Sequence, residues 1–505
     1  MKKLLSLLLT IAMTAMLLTG ITGCAPKTEG SKDDNQDEFV TIEMWTGYPL
    51  GVPPKDFELV MTEVNKKLKE KLNCELDLKL VDWLGLDSTL NLKISAADPF
   101  DICFTSPLYN DFFRGARKDA FLDLTELLPE YAPTIWNTVD KSYWDTIKLD
   151  DKIYAVINNQ IVGRQFCGVL RESTYNDYLK TSGAKTVDQM KTVEDMSPFL
   201  AYAKSISKDN FINATFDMDG IMTYWGFDTM GNWKLPGVVH YEDGDYKVVN
   251  QYDTDQWRAG MKLSKEWYDK GYYWPDMNIN TPDYTRFQMR FAPTYKPGME
   301  TEEYQVSKYT SVFAQLGEPI LFTNNILSTM NAISRTSKNP IRALKLLELL
   351  YSDKDIYNML VFGLEGKHYT VADDTGKIKK IKMVENSDYS MPISFSLGNQ
   401  YNMWIQEGQS DDVWDKTDEI NKNAKKAVTF GFVFDPSPVK SEYATCTAVV
   451  DEYWYNVLIG LGRSDEQVAK SYQTFLTRLK QAGSDAIIAE KQKQLDAWRT
   501  ANGKN

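Results

Sequence analysis

The stretch CELDLKLVDW, residues 74–83, is where the reading of the fold begins. Apolar side chains alternate with charged ones along most of it, as in a strand with one buried face. Upstream, Phe57, Val60, Met61, Val64, Leu68 and Leu72 recur at helical spacing, so residues 57–72 read as a helix opened by Pro53-Pro54. Before that helix, EFVTIEMW (38–45) is another strand, closed by the turn-like TGYP (46–49). Downstream, residues 88–97 read as a helix and PFDICFTS (99–106) as a buried strand. Strands alternating with helices long enough for crossovers call for a mainly parallel sheet in an α/β fold. Ligands of such sheets sit beyond the carboxyl ends of the strands. Those ends here carry Trp45, Trp83 and the segment from Ser106 to Tyr109.

The rest of the chain continues in the same style. Residues 121–139 read as a strand-like turn and a helix, and KIYAVIN (152–158) as a strand. A second α/β region follows, with helices at 194–207 and 255–271, an aromatic loop at 222–233 and a hairpin around Gly244. Residues 324–333 read as a strand, Pro340 opens a helix with Ile341, Leu344, Leu347 and Leu350 on one stripe, and YTVADDTGKIKKIKMV (369–384) is a hairpin. Helices at 468–481 and 485–498 end the chain. No repeat or long low-complexity tract appears.

At 505 residues the chain is too long for one core. Its formal charge is −13, which gives it no electrostatic reason to hold nucleic acid or anionic lipid heads. The sequence opens with MKK and an apolar run, as an export signal does. The uncharged stretch 4–26 is also long enough to cross a bilayer. ITGC (21–24) resembles the bacterial lipobox, in which the chain is cut before a cysteine that then carries lipid. That resemblance implies a mature chain starting at a lipidated Cys24, followed by a solvated tether with no apolar face to bury. The four remaining cysteines, Cys74, Cys103, Cys167 and Cys446, have no metal-binding spacing and read as buried thiols, with a disulfide left open.

Several segments resemble the extracellular solute-binding lipoproteins of carbohydrate ABC importers. ISAADPFDICFT (94–105), the region 122–133, DKIYAV (151–156) and TSKNPIRALKLL (336–347) are similar to that family in order. Asp151 stands where the family usually has Gly. GLEGKHY (363–369), GFVFDPSPVKSEYA (431–444) and IIAEKQKQLDAW (487–498) resemble a subgroup named for putative aldouronate or complex-polysaccharide transport. The resemblance implies an α/β, two-lobed periplasmic-binding-protein fold (type II) with strands crossing at a hinge. It divides the chain into a signal peptide (1–23), a tether (24–38), a first lobe (39–158 plus 325–390) and a second (159–324 plus 391–505). It further implies a monomer, lipid-anchored outside the bacterial cell membrane. That protein would hold an oligosaccharide between its lobes and deliver it to an ABC permease, without a cofactor. A glycan-binding or sensor lipoprotein without transport is the alternative.

Sugar binding calls for flat apolar faces and fixed polar groups. Candidates are Trp45, Trp83, Tyr109 and Asn110 at the strand ends, Arg164 and Gln165 after the crossing strand, and Trp225 and Trp233 in the aromatic loop. Asn399, Gln400 and Trp404 after Gly398, and Phe434 and Asp435 in GFVFDP, complete the set. Each has a rival reading: core for the aromatics, solvated loop for Arg164 and Gln165, hinge shaping for Phe434 and Asp435. Arg164 would suit a uronate, because a guanidinium can make two parallel bonds to a carboxylate.

Asp217-Met218-Asp219-Gly220 lacks the remaining ligands of a calcium loop and reads as a turn. Only two histidines occur, His240 and His368, in no hydrolase or metal motif, and no phosphate-binding glycine run is present. The residues therefore favour a carrier over an enzyme. Paired carboxylates of a glycoside hydrolase stay open, since spacing across a cleft is not written in sequence.

Overall fold

The computed structural model describes residues 34–49, 51–207, 216–274, 283–376, 378–455, 460 and 463–504. Cys24 and the apolar run before it lie outside the described residues. Among those described, no helix is long and apolar enough to cross a membrane.

The chain enters through β1 (Val40–Tyr48), α1 (Phe57–Leu72), β2 (Cys74–Asp82), α2 (Trp83–Ser95), β3 (Ile102–Thr105) and the short α3 (Phe112–Arg117). It reaches the first sheet again with β4 (Val156–Ile157), then leaves it. A second unit follows, with β5 (Cys167–Arg171), α4 (Met218–Tyr224), α5 (Asp255–Asp269), β6 (Met289–Ala292), α6 (Met299–Ser307) and β7 (Ser311–Gln315). The chain returns through β8 (Ile320–Leu321) to β9 (Met330–Ile333) and α7 (Pro340–Ser352), and crosses again at β10 (Lys425–Lys426). It ends with α8 (Asp465–Gln481) and α9 (Ser484–Ala501).

The first sheet has the order β2-β1-β3-β9-β4. β1 runs parallel to both β2 and β3, while β9 is antiparallel to its neighbours. The parallel portion is thus the one expected from the amino-terminal pattern. The second sheet, β6-β5-β7, is antiparallel.

Two main cores separate the units. The first gathers Ile42 and Met44 of β1, Val60 and Leu68 of α1, Phe104 of β3 and Leu344 and Leu347 of α7. The second gathers Leu170, Trp257, Trp267, Phe291, Phe475 and Leu479. Met391, Ile393, Leu397 and Met403 pack in the first core, although residues 391–505 were all expected in the second lobe. The last crossing strand, β10, comes after these residues. No change of composition marks it.

The three crossing segments are bonded to one another. Arg164 and Ile320 exchange two backbone hydrogen bonds of 2.8 Å, and β8 pairs in parallel with β10. The Asn421 side chain braces the first crossing, accepting from the N–H groups of Val162 and Gly163 and donating to the carbonyl of Gln160.

Residues 34–38, expected to be part of a solvated tether, are instead strapped to the first unit. The guanidinium of Arg342, 2% exposed, bonds the Asp34 carboxylate at 3.0 Å and the carbonyls of Asn35, Leu72 and Asn73. Lys345 holds the other Asp34 oxygen at 2.8 Å. A buried cation with this much donor capacity recruits every nearby acceptor, including those of a segment with no apolar face.

Candidate functional site

β1 runs three residues past Trp45, so Trp45 is not at a carboxyl end. It lies along the sheet under α2, where its indole donates to Glu43 and Lys93 sits 5.2 Å from its ring centre. The β1 residue nearer the carboxyl end on the same face is Gly47, and the ring of Trp83 lies directly on it. A Cβ on Gly47 would come within 2.0 Å of the Trp83 ring. Asp82, accepting from the Leu84 N–H, starts α2 at the point that delivers Trp83 there.

Trp83 anchors an aromatic group at the carboxyl ends of β1, β2 and β3. Its ring centre lies 5.1 Å from Phe104, 5.0 Å from Tyr109 and 6.0 Å from Phe395, the last stacked with ring planes 18° from parallel. Phe104 is core, whereas Trp83, Tyr109 and Phe395 are half-buried. Leu84 and Leu108 stand beside Trp83 and Tyr109 in sequence, 87% and 68% exposed. Strand-end loops set this geometry. The Ser106 hydroxyl accepts from the N–H of Tyr109 at 3.0 Å, turning the chain straight after β3. Asn110 takes the left-handed conformation, and its amide donates to the carbonyl of Phe104 at 2.9 Å. Asn110 is therefore a buried tie of this loop, not a side chain facing ligand.

Phe395 went unnoticed in the sequence because it sits in an irregular segment far along the chain. The candidates Asn399 and Gln400 hold that segment. Gln400 donates to the Ser394 hydroxyl at 3.0 Å, and Asn399 accepts from Asn159 at 3.0 Å. Both are buried, so they shape the loop under Phe395. Thr46 of β1 donates to the Ser396 hydroxyl at 3.3 Å, fastening the same loop to the sheet. Trp404 packs elsewhere on the first unit, with Lys379 5.1 Å from its ring.

At the crossing, Arg164 is half-buried. Its Nη1 lies 3.8 Å from Asp219, beyond hydrogen-bond reach, and its Nε is buried without a partner. Gln165 is committed to the Gly317 carbonyl at 2.8 Å. Asp217 caps α4, accepting from Gly220 at 2.8 Å, and burial pushes its carboxyl above the usual range. The turn expected at 217–220 is thus a helix start. Among the described residues no cluster of three or more His, Cys, Asp or Glu side chains is arranged to hold a metal ion.

The aromatic loop of the second unit packs inward. Trp225 covers Gly260, where a Cβ would come within 2.2 Å, and meets Trp257 at 6.0 Å. Trp233 meets Trp454 at 4.9 Å. Phe434 lies against Lys491, 5.4 Å from its ring centre. Asp435 accepts from Arg117 of α3 at 3.2 Å, an ion pair between the strand-end side of the first unit and the last crossing. His368 is a buried tie between Leu364 and Asp56, and all four remaining cysteines are buried free thiols.

Structure and sequence comparisons bear on this arrangement. The N-glycan transport solute-binding protein NgtS from Streptococcus pneumoniae superposes with a TM-score of 0.78 at 22% identity, covering 91% of this chain and 99% of that one. The chain has the two-lobed fold of the solute-binding proteins. NgtS has also been solved with Man5GlcNAc, and that complex matches with a TM-score of 0.72 at 21% identity over 92% of this chain and 99% of that one. A carbohydrate ABC transporter substrate-binding protein of Streptococcus pneumoniae serotype 4 (strain ATCC BAA-334 / TIGR4) is 24% identical over 96% of this chain and 97% of its own length. The family described as "Domain of unknown function (DUF3502)" matches residues 428–500, from just after β10 through most of α9.

Proposed function

We propose that this protein is the substrate-binding component of an ABC importer, capturing an oligosaccharide between its two lobes and delivering it to a membrane permease. The observation that carries the reading is the half-buried Trp83–Tyr109–Phe395 group at the carboxyl ends of the parallel strands. Three aromatic faces there cover the C–H face of a pyranose, and the exposed edge leaves room for a chain of sugars. Whole-length similarity to a carbohydrate-binding transport protein supports it, as does the sugar complex of NgtS. These relatives are named as binding proteins, which supports a carrier. Arg164, with an unpaired Nε at the crossing, is the polar group we assign to the ligand from the second lobe.

Movement belongs to the reading. Two cores joined by three short crossings can rotate as units, and a ligand touching both favours the closed arrangement by its differential affinity. We take the first lobe as 34–162 plus 321–427 and the second as 163–320 plus 428–505. A lipid on Cys24 would keep the carrier beside its permease as a monomer on the outer face of the cell membrane; Cys24→Ser should release it into the medium.

Thermal shift across neutral and uronate-containing oligosaccharides tests the assignment. At least one glycan should raise Tm saturably, and Trp83→Ala should weaken that glycan by about tenfold or more while the variant stays folded. Stabilisation by peptides and by no glycan would sink the sugar assignment. Release of shorter products would replace the carrier with a hydrolase.

A further inference from the structure

A cationic cluster lies in the second lobe, apart from the aromatic group. The β6-β5-β7 sheet has one face on the large second core. Its other face carries Cys167, Val169 and Ala292, covered by Met299 of α6. Alternation along β5 puts Arg171 on that face too. β6 adds Arg290 opposite Val169, and β7 adds Ser311 directly opposite Arg171. Two guanidiniums therefore share one face at diagonal cross-strand positions.

They are not equally satisfied. Arg290 is paired through two N–H groups with Glu303 of α6, a carboxylate only 3% exposed. Arg171 has no such partner. Its Nη2 donates to the Thr285 carbonyl at 2.6 Å, and the Tyr309 ring lies 3.9 Å beneath the guanidinium. Among the described residues no carboxylate pairs with it. Its Nε is buried and unbonded, and so are the Tyr309 hydroxyl and the Ser311 hydroxyl. Three groups able to donate thus lie around a guanidinium that no carboxylate among the described residues neutralises, in a protein that is otherwise strongly acidic. Unsatisfied buried groups cost free energy, and a guanidinium Nε beside two hydroxyls that are free to turn their protons outward can serve an oxyanion.

We infer that Arg171, Tyr309 and Ser311 form a site for a small oxyanion of phosphate or sulfate type, separate from the sugar site. Its oxygens would accept from the Arg171 guanidinium and both hydroxyls, while Arg290 keeps Glu303 neutralised and prevents it from repelling the guest. Burial pushes the Tyr309 hydroxyl up to about 12, so it remains a donor throughout the physiological range. The guest would tie β5, β7 and the turn after α6 together.

Titration of the full chain with inorganic phosphate or sulfate, by calorimetry at constant ionic strength against chloride, tests this. The expected result is saturable one-site binding of both anions, weakened about tenfold by Tyr309→Phe and abolished by Arg171→Gln. Glycan binding is to be unchanged in both variants, which separates this site from the sugar reading. Retained cooperative melting of Tyr309→Phe guards against a variant that merely unfolds. Non-saturable binding, equal binding by Tyr309→Phe and wild type, or tighter binding of glucuronate than of phosphate would overturn the assignment.

Discussion

Gly47 determines where the Trp83 ring can lie, because the indole occupies the space of a missing side chain. Gly47→Ala forces the ring off the strand or the strand off the sheet. The expected outcome is a stability loss of about 1–3 kcal/mol in urea melts and a fall in glycan affinity comparable with that of Trp83→Ala. Unchanged affinity would remove Trp83 from the sugar floor. A second residue effect concerns Lys491, whose ammonium is buried and donates to the carbonyls of Gly237 and Thr229. Burial pulls it down to about 7, against the help of Asp228. The unfolded chain therefore binds one more proton than the native one between about pH 7 and the ordinary lysine value near ~10.4. Stability from this group is lowest below pH 7 and rises as pH increases through that window. The stability of wild type relative to Lys491→Met should accordingly climb between pH 7 and 9; a flat difference would show that Lys491 is not held in this way. At this scale the sequence was partly legible. Trp83 and Tyr109 follow strand ends and could be found by that rule alone. Trp45 was misplaced because the strand continues through Thr46 and Gly47 despite their turn-like chemistry. Phe395 has no strand before it to announce it.

Among the elements, the pairing of α7 with the amino-terminal strap is the least expected. Helix periodicity picked out the apolar stripe of α7 correctly, but it treats Arg342 as a solvated position, whereas the side chain is buried among carbonyls and Asp34. Removing one partner of such a network is costly, and Arg342→Ala should lose about 3 kcal/mol or more in urea melts. Asp34 offers a gentler test. Burial would raise its carboxyl, but Lys345 and Arg342 outweigh that and hold it below the usual range. A depressed carboxylate contributes fully above its unfolded value of about 3.9, and that contribution is lost as pH falls from there through its lower folded value. Asp34→Asn should thus be less stable than wild type at pH 7, with the gap closing below about pH 4. A gap that stays constant from pH 7 down through the acid range would mean that shape, not charge, holds the strap. The same contrast explains which elements could be read. α1, β2, α5, α8 and α9 follow hydrophobic period, and α5 and α8 also open on the side-chain caps Thr254 and Ser464. The short strands β8 and β10 have two residues each and exist only because the crossings pair.

Across the whole molecule, the Arg117–Asp435 pair joins the two lobes at half-exposed side chains. A pair of this exposure contributes little to folding, yet it can bias a two-state equilibrium whose arms are nearly balanced. Arg117→Ala should enlarge the radius of gyration of the ligand-free protein in small-angle scattering and leave the glycan-bound value unchanged. Equal values for wild type and variant without glycan would show that the pair does not govern opening. The two-lobed plan was legible from the parallel pattern near the amino terminus and the resemblance of later segments. That residues 391–424 stay in the first core was not, because no linker marks the later crossing at β10 and the packing partners of the segment lie far away in sequence.

The strap has one more consequence. Arg342 grips the chain beside Leu72 and Asn73, at the start of β1 and β2, while the aromatic group lies at the end of those strands. Eight steps along a strand separate the two by about 26 Å. Whatever restrains the segment before Asp34 therefore pulls on the pole of the first lobe opposite its mouth. With the lipid proposed on Cys24, the molecule would hang from its back, with the proposed sugar floor presented outward to incoming chains.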